Sequence, residues 1–422
     1  MKTFTPPSPV RQRGAAALVV TLLLFFAALL VVVFTHRNLI TEARSSANQL
    51  RAAQAFEAAQ AGVDWALARL NDPAPIDASC RPAAGADSFR DRHLRYVPAL
   101  ATLVPVTWDD AGTPTPLRAA CLRTEAGWTC GCPAAGPAVL PDSAGATEHA
   151  FTVELRAGAR AGLFGIVATG CTRMATGCGA TTDAGHEAAA RIETAVALLP
   201  GLRLAPAAPL TVGGNVDAGA AALGAHNPDP ASGGVAVHAG GSVAGAALRL
   251  GVPAGLPLDS AVVANDAWLG SVSAERSFAR HFGMARAAWA AQPAATRVAC
   301  AGSCTAALAA ALAGGSTLIA IDGDLTLEGP IALGSAARPV IVAVAGTVRW
   351  NGAVEMHGLL HGSGFEWRGP GGGAARLSGA AVVAGDYGGD GDPDFVYDTD
   401  TLARLRAATG SIVRVNGSWK DF

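Results

Sequence analysis

Neither sign of charge is in excess in this 422-residue chain: 31 lysines and arginines face 33 aspartates and glutamates, and no long basic patch interrupts the mixture. The electrostatic footprint of a nucleic-acid binder is therefore lacking, and no nucleic-acid partner is expected. Also missing are a G-x-S-x-G elbow, a Walker loop and H-E-x-x-H, so the usual hydrolase and nucleotide signatures fail. Without a convergent acid, base or nucleophile set, the chain does not read as an enzyme. Charged residues make up only 15% of the sequence and glycines number 51, a balance that low-complexity chains share. Here the glycines are interleaved with Val, Leu and Ile, which favours buried β-structure over disorder.

What the sequence does have is one long apolar run. In "RQRGAAALVVTLLLFFAALLVVVFTHR", residues 11–37, Thr21 is the only polar side chain between Ala15 and Phe34. About 20 apolar residues rising 1.5 Å each suffice to cross a bilayer. A cleavable signal would end in a small-residue A-x-A site. The far flank instead reads Phe34, Thr35, His36, Arg37, while Lys2, Arg11 and Arg13 hold the near side in the cytoplasm. From His36 to Asn71 there is no proline and one glycine, Gly62, before Pro73 and Pro75 stop the pattern. Leu39, Ala43, Ala47, Leu50, Val63, Leu67 and Leu70 fall at helical steps. The expectation is one helix from about Ala15 to Asn71, roughly 85 Å long, half in lipid and half out. Taken plainly, that is a membrane anchor with a juxtamembrane stalk.

A short basic leader ending in glycine, followed at once by an uncharged helix that continues as an amphipathic one, resembles the amino terminus of type IV pilins and pseudopilins. More narrowly, "RQRGAAALVV", Glu42 and "NQLRAAQAFEAAQAGVDWAL" are similar to the PilX-type minor pilin amino-terminal region. The resemblance covers residues 11 to about 70. It implies cytoplasmic-side cleavage by a prepilin peptidase between Gly14 and Ala15, and methylation of the new amino terminus. It also implies a Gram-negative inner membrane location, single-pass with the C-terminus periplasmic, before incorporation into a cell-surface pilus. Implied partners are other minor pilins and the major pilin, the inner-membrane assembly platform and a large tip adhesin. The sequence departs from major pilins at the fifth mature residue, Val19, where they carry glutamate. The role implied is pilus initiation and assembly at the filament tip, with the tip of a type II secretion machine as the alternative.

The exported part contains eight cysteines, Cys80, Cys121, Cys130, Cys132, Cys171, Cys178, Cys300 and Cys304. An even count in an oxidising compartment reads as disulfides. Proximity favours Cys171–Cys178 and Cys300–Cys304, leaving the other four to form two more. "CGC" at 130–132 lacks the paired spacing and nearby histidines of a zinc site. The fold class expected is α+β. Its parts are a leader at 1–14, a pilin helix at 15–72 with its membrane segment at 15–35, and a β-sheet head at 73–200. A linker at 201–208 leads to a glycine-rich β domain at 209–422, a solenoid or a sandwich, with helical insertions at about 274–291 and 305–313.

Three further groups bear on candidate sites. His357 and His361, four apart in "HGLLHGSG", read as a solvated turn pair, and "GPGGGA", 369–374, has the composition of a phosphate loop without a following helix. In "GDYGGDGDPDFVYDTD", Asp390, Asp392 and Asp394 alternate, flanked by Asp386, Asp398 and Asp400, as hard-cation ligands would. Calcium is the one cofactor entertained. Phe395 and Thr401 stand where a calcium loop needs glycine and glutamate, so an acidic turn capping the next helix is an equal reading.

Overall fold

The computed structural model describes residues 13–421 apart from 140, 142–148, 161, 174–177, 179–187, 221, 246 and 370–374. Its first element is a single helix, α1 (Arg13–Asn71), followed by α2 (Phe89–His93), α3 (Ala267–Ser271), α4 (Ala274–Phe282), α5 (Arg286–Ala290), α6 (Thr305–Ala313) and α7 (Thr399–Ala408). Strands supply most of the remainder, and the whole is α+β.

The head is an antiparallel sheet whose path runs 410–414, 189–200, 163–171, 150–157, 118–124, 127–131. The last turns of α1 lie across it. Ala55, Ala59, Val63, Ala66 and Leu70 are buried there with Phe151, Val153, Ile166 and Ile192. Small residues let the two backbones approach: a Cβ added to Gly170 would sit 2.1 Å from the Ala55 carbonyl oxygen and 2.3 Å from the Ala59 nitrogen. Bridges Cys80–Cys132, Cys121–Cys130 and Cys171–Cys178 staple this part, and Cys300–Cys304 closes the turn before α6.

The glycine-rich region is a solenoid. Among the described residues every strand pair within it is parallel, which excludes the sandwich alternative, an antiparallel architecture. Each coil contributes short β-branched strands to a stack, so that Ile341 pairs with Ile319's neighbour Leu318 on one side and with Leu359 on the other. The two long strands, Val354–Gly362 and Arg376–Val383, bend from one face of the coil to the next at the paired residues Gly358 and Gly379, with φ of +154° and +132°. A side chain at either would strike the neighbouring strand, at 1.9 Å from the Val340 oxygen and 2.0 Å from the Gly358 oxygen. Inside, Trp350, Phe365, Trp367, Tyr387 and Phe395 form a buried edge-to-face aromatic stack.

The coils are not stacked in chain order. The first, 210–226, is followed by one at 237–251 on its outer side. The chain then passes through α3, α4 and α5 to the opposite end at Ala295–Arg297 and coils back, so that Leu210 pairs with both Val237 and Ala381. Beginning and end of the solenoid are thereby neighbours. The chain leaves through α7 and returns to the head, where strand 410–414 pairs antiparallel with 189–200, Gly410 opposite Pro200, and Lys420–Asp421 pairs with Ile192–Glu193. The final strands, grouped by sequence with the glycine-rich region at 209–422, are thus part of the head sheet, and the solenoid is inserted between two adjacent strands of it. Residues 201–208 are not a loose tether either: Leu202 is fully buried against Phe278, Phe282 and Trp289, and the Trp289 indole N–H donates to the Gly201 carbonyl at 2.8 Å.

Candidate functional site

The candidate assembly site is α1. Gly14 and Ala15 lie in its first turn, one residue after Arg13, and residues 1–12 of the expected leader lie outside the described residues. Nothing in the protein comes within 4 Å of a Cβ built on Gly14. Val19 is 56% exposed and belongs to an apolar window of mean hydropathy 3.2 that makes no burying contact. By length and composition the helix is able to cross a membrane. The Thr21 and Thr35 hydroxyls donate back to the carbonyls of Ala17 and Val31, so both polar groups are satisfied within the helix.

Docking begins later than the periodicity of the sequence suggests. Val63 and Leu70 of the expected stripe are buried, but Leu39 and Leu50 are 63% and 61% exposed. Sheet cover starts at Ala55, where the head reaches the helix. The last turn is fixed by Asn71, itself buried: its carboxamide donates to the Ile412 carbonyl at 2.9 Å and accepts from the Ile412 N–H at 2.8 Å, as a neighbouring strand would. Beside it Asp64 is ion-paired with Arg414. The sequence shows no local signal for this contact, which joins residues more than 300 positions apart.

The aspartates are distributed along one side of the solenoid and do not converge. Asp386 accepts from the Asn215 N–H at 2.7 Å, Asp390 from the Gly369 N–H at 3.2 Å and Asp392 from the Ala222 N–H at 2.8 Å. Asp394 is paired with Arg249 at 2.9 Å and His226 at 3.3 Å. Asp398 caps α7 through the N–H groups of Asp400 and Thr401. Asp386, Asp392 and Asp394 each reach a separate point on coil 210–226 and Asp390 reaches Gly369, and among the described residues no group of three or more His, Cys, Asp or Glu is placed to hold a metal ion. Of the phosphate-loop look-alike, residues 370–374 lie outside the described residues.

His361 overturns the expectation of a solvated turn pair. Both histidines lie on strand Val354–Gly362, and His361 is fully buried, edge-on to Phe278 at 5.0 Å and Phe282 at 5.7 Å. Neither of its ring nitrogens has a hydrogen-bond partner. Burial, with smaller contributions from Arg286 and His281, pushes its pKa down to about 3. The strand turns its face toward α4, and only the tertiary fold shows what covers it.

A class is defined by this geometry: an α+β protein led by one continuous helix, apolar from Ala15 to Phe34 and largely exposed as far as Leu50, docked from Ala55 on a disulfide-stapled antiparallel sheet, and carrying a parallel solenoid. The N-terminal segment can be compared more narrowly: residues 13–64, within this helix, match the family model described as PilX N-terminal. No curated protein matches the chain. Among solved structures, the competence-associated pilin ComZ from Thermus thermophilus is similar at 12% identity and a TM-score of 0.24, over 88% of this chain and 97% of that one, a superposition too loose to define a shared architecture.

Proposed function

We infer that the chain is a minor pilin of a type IV pilus that acts in pilus initiation and assembly from the filament tip, with the solenoid presented outward as a partner-binding or adhesive module. The observation that carries this reading is the PilX-type match over residues 13–64. In this reading residues 1–14 are a leader removed between Gly14 and Ala15, and α1 holds the subunit in the inner membrane with the head outside until assembly. The partners are the prepilin peptidase, the assembly platform, other minor pilins and the major pilin, and a large tip adhesin.

The tip placement has a physical argument. A carboxylate within the membrane-spanning part of a helix is costly and needs a compensating partner. Valine at position 19 removes that need, so a subunit carrying it has no requirement for a neighbour ahead. An inserted solenoid is also tolerated most easily where nothing stacks above it. Mass analysis of the mature amino terminus, together with gold labelling of sheared filaments, tests the reading. The expected results are a chain starting at Ala15 and label confined to filament ends. A start at Met1 sinks the pilin assignment, and label along the shafts sinks the tip placement. Co-purification with a secretion complex and absence from sheared filaments would move the protein to the tip of a type II secretion machine.

A further inference from the structure

The chain that leaves the solenoid ends on the assembly helix. α7 lies against solenoid strands 354–362 and 376–383 and against head strand 189–200. Its Leu402 and Leu405 are buried with Phe278, Leu359 and Ala380. At its C-terminal end, where helix carbonyls lack intrahelical donors, the Ala408 and Gly410 oxygens accept from the Arg90 guanidinium of α2 at 2.5 and 2.6 Å. One residue on, the Ser411 hydroxyl accepts from the Ala294 N–H, which precedes the first strand of the returning coils, at 3.0 Å. The next residue, Ile412, is the one whose two backbone groups are taken by Asn71.

We propose that residues 399–421 are a strap that couples the folded state of the solenoid to the docking of the last turns of α1. The strap is built from consecutive contacts that alternate between the two bodies: solenoid at Leu402 and Leu405, head at Ala408 and Gly410, solenoid side at Ser411, α1 at Ile412 and Arg414. Chain order gives the coupling a direction. Helix α1 is the first element made and strand 410–414, which receives its end, is among the last, with the entire solenoid between them. A chain whose solenoid has not closed must bring Gly410 opposite Pro200 across about 210 flexible residues, an entropic cost that the closed solenoid, whose ends are neighbours, removes. The turns of α1 around Asn71 then lose the strand they pair with, while the turns from Ala55 to Ala66 keep their cover from strands 150–157, 163–171 and 189–200. The device thus makes a complete solenoid a condition for a fixed last turn of the assembly helix, and it rests on the reading of α1 as that helix.

Amide hydrogen exchange on the full-length processed protein in detergent tests the strap, with peptides from residues 64–71 and from the solenoid followed separately. In Asn71→Leu, exchange at 64–71 is expected to quicken roughly tenfold or more while the solenoid is unchanged. In Trp350→Ala, and in the milder Phe365→Leu, both wholly inside the solenoid and away from the head, exchange at 64–71 is expected to quicken together with that of the solenoid. Solenoid peptides that loosen while 64–71 stay as protected as in the parent overturn the proposal, and so does an Asn71→Leu protein with unchanged exchange. Incorporation of the same variants into sheared filaments is a separate readout. Loosened 64–71 with undiminished incorporation retains the strap and refutes the assembly role, whereas lost incorporation with unaltered exchange refutes the strap.

Discussion

Acid should weaken the solenoid through His361, and the size of the effect follows from its surroundings. The imidazole is fully buried between Phe278 and Phe282, with Arg286 and His281 the charged or titratable groups nearest to it and no hydrogen-bond partner on either ring nitrogen. Arg286 is itself held in place by the Val344 carbonyl at 2.9 Å, so it cannot move away when a second positive charge appears. The folded-state pKa is accordingly depressed to about 3 from an ordinary value of 6.5. Above pH 6.5 neither state binds a proton and nothing is lost. As pH falls below 6.5 the unfolded chain takes up a proton that the folded chain refuses, and stability declines until about pH 3. At pH 5 the loss from this residue is about 2 kcal/mol, since each unit of pH below the unfolded pKa is worth about 1.4 kcal/mol. In His361→Leu, similar in volume and without polar atoms, that slope should vanish, and at pH 7.5 the variant should be as stable as the parent or more so, by up to about 1 kcal/mol. Urea unfolding followed by tryptophan fluorescence at pH 7.5 and pH 5 measures both quantities. His93 and His281 are also buried with lowered pKa values and contribute in both proteins, so only the difference between parent and variant is diagnostic. A variant that loses as much stability as the parent between the two pH values would refute the reasoning.

Gly170→Val should undock α1, because a Cβ there would occupy the space of the Ala55 oxygen and the Ala59 nitrogen; a loss of about 3 kcal/mol is expected for overpacking against backbone that cannot yield, read as faster proteolysis after α1 residues 55–71, and an unaltered digestion pattern counts against the close-packed interface. Millimolar calcium should leave the melting temperature unchanged, since Asp390, Asp392 and Asp394 are committed to Gly369, Ala222 and Arg249; a calcium-dependent rise that disappears in Asp392→Ala would show that the loop does bind the ion.

Much of the architecture was legible from local pattern. Helix α1 ends at Asn71, where Pro73 and Pro75 forbid continuation. The expected insertions at 274–291 and 305–313 are α4 with α5, and α6, and both cysteine pairs chosen for proximity are bonded. These are decided within a few residues by helix propensity, proline geometry and short loop closure, all of which a linear chain carries in plain view. The glycine-rich β character was equally local, but solenoid and sandwich share the same strands and differ only in which edges meet.

What tertiary structure alone decided are the contacts between distant residues. No window of sequence shows that Gly410 lies opposite Pro200, that Asn71 takes both backbone groups of Ile412, or that Leu39 is bare while Val63 is covered. Those facts depend on where a strand made last finds a free edge, and on how far the head reaches along the helix. The same holds for charge: alternating aspartates look alike whether they converge on an ion or each bind a separate group of an adjacent coil, and a histidine in a glycine-rich stretch looks solvated until a helix encoded some 80 residues earlier closes over it. Periodicity fixes which face of a strand a residue occupies. What lies against that face is set by the stacking of the coils, and so the chemistry of His361 and the aspartates belongs to the fold.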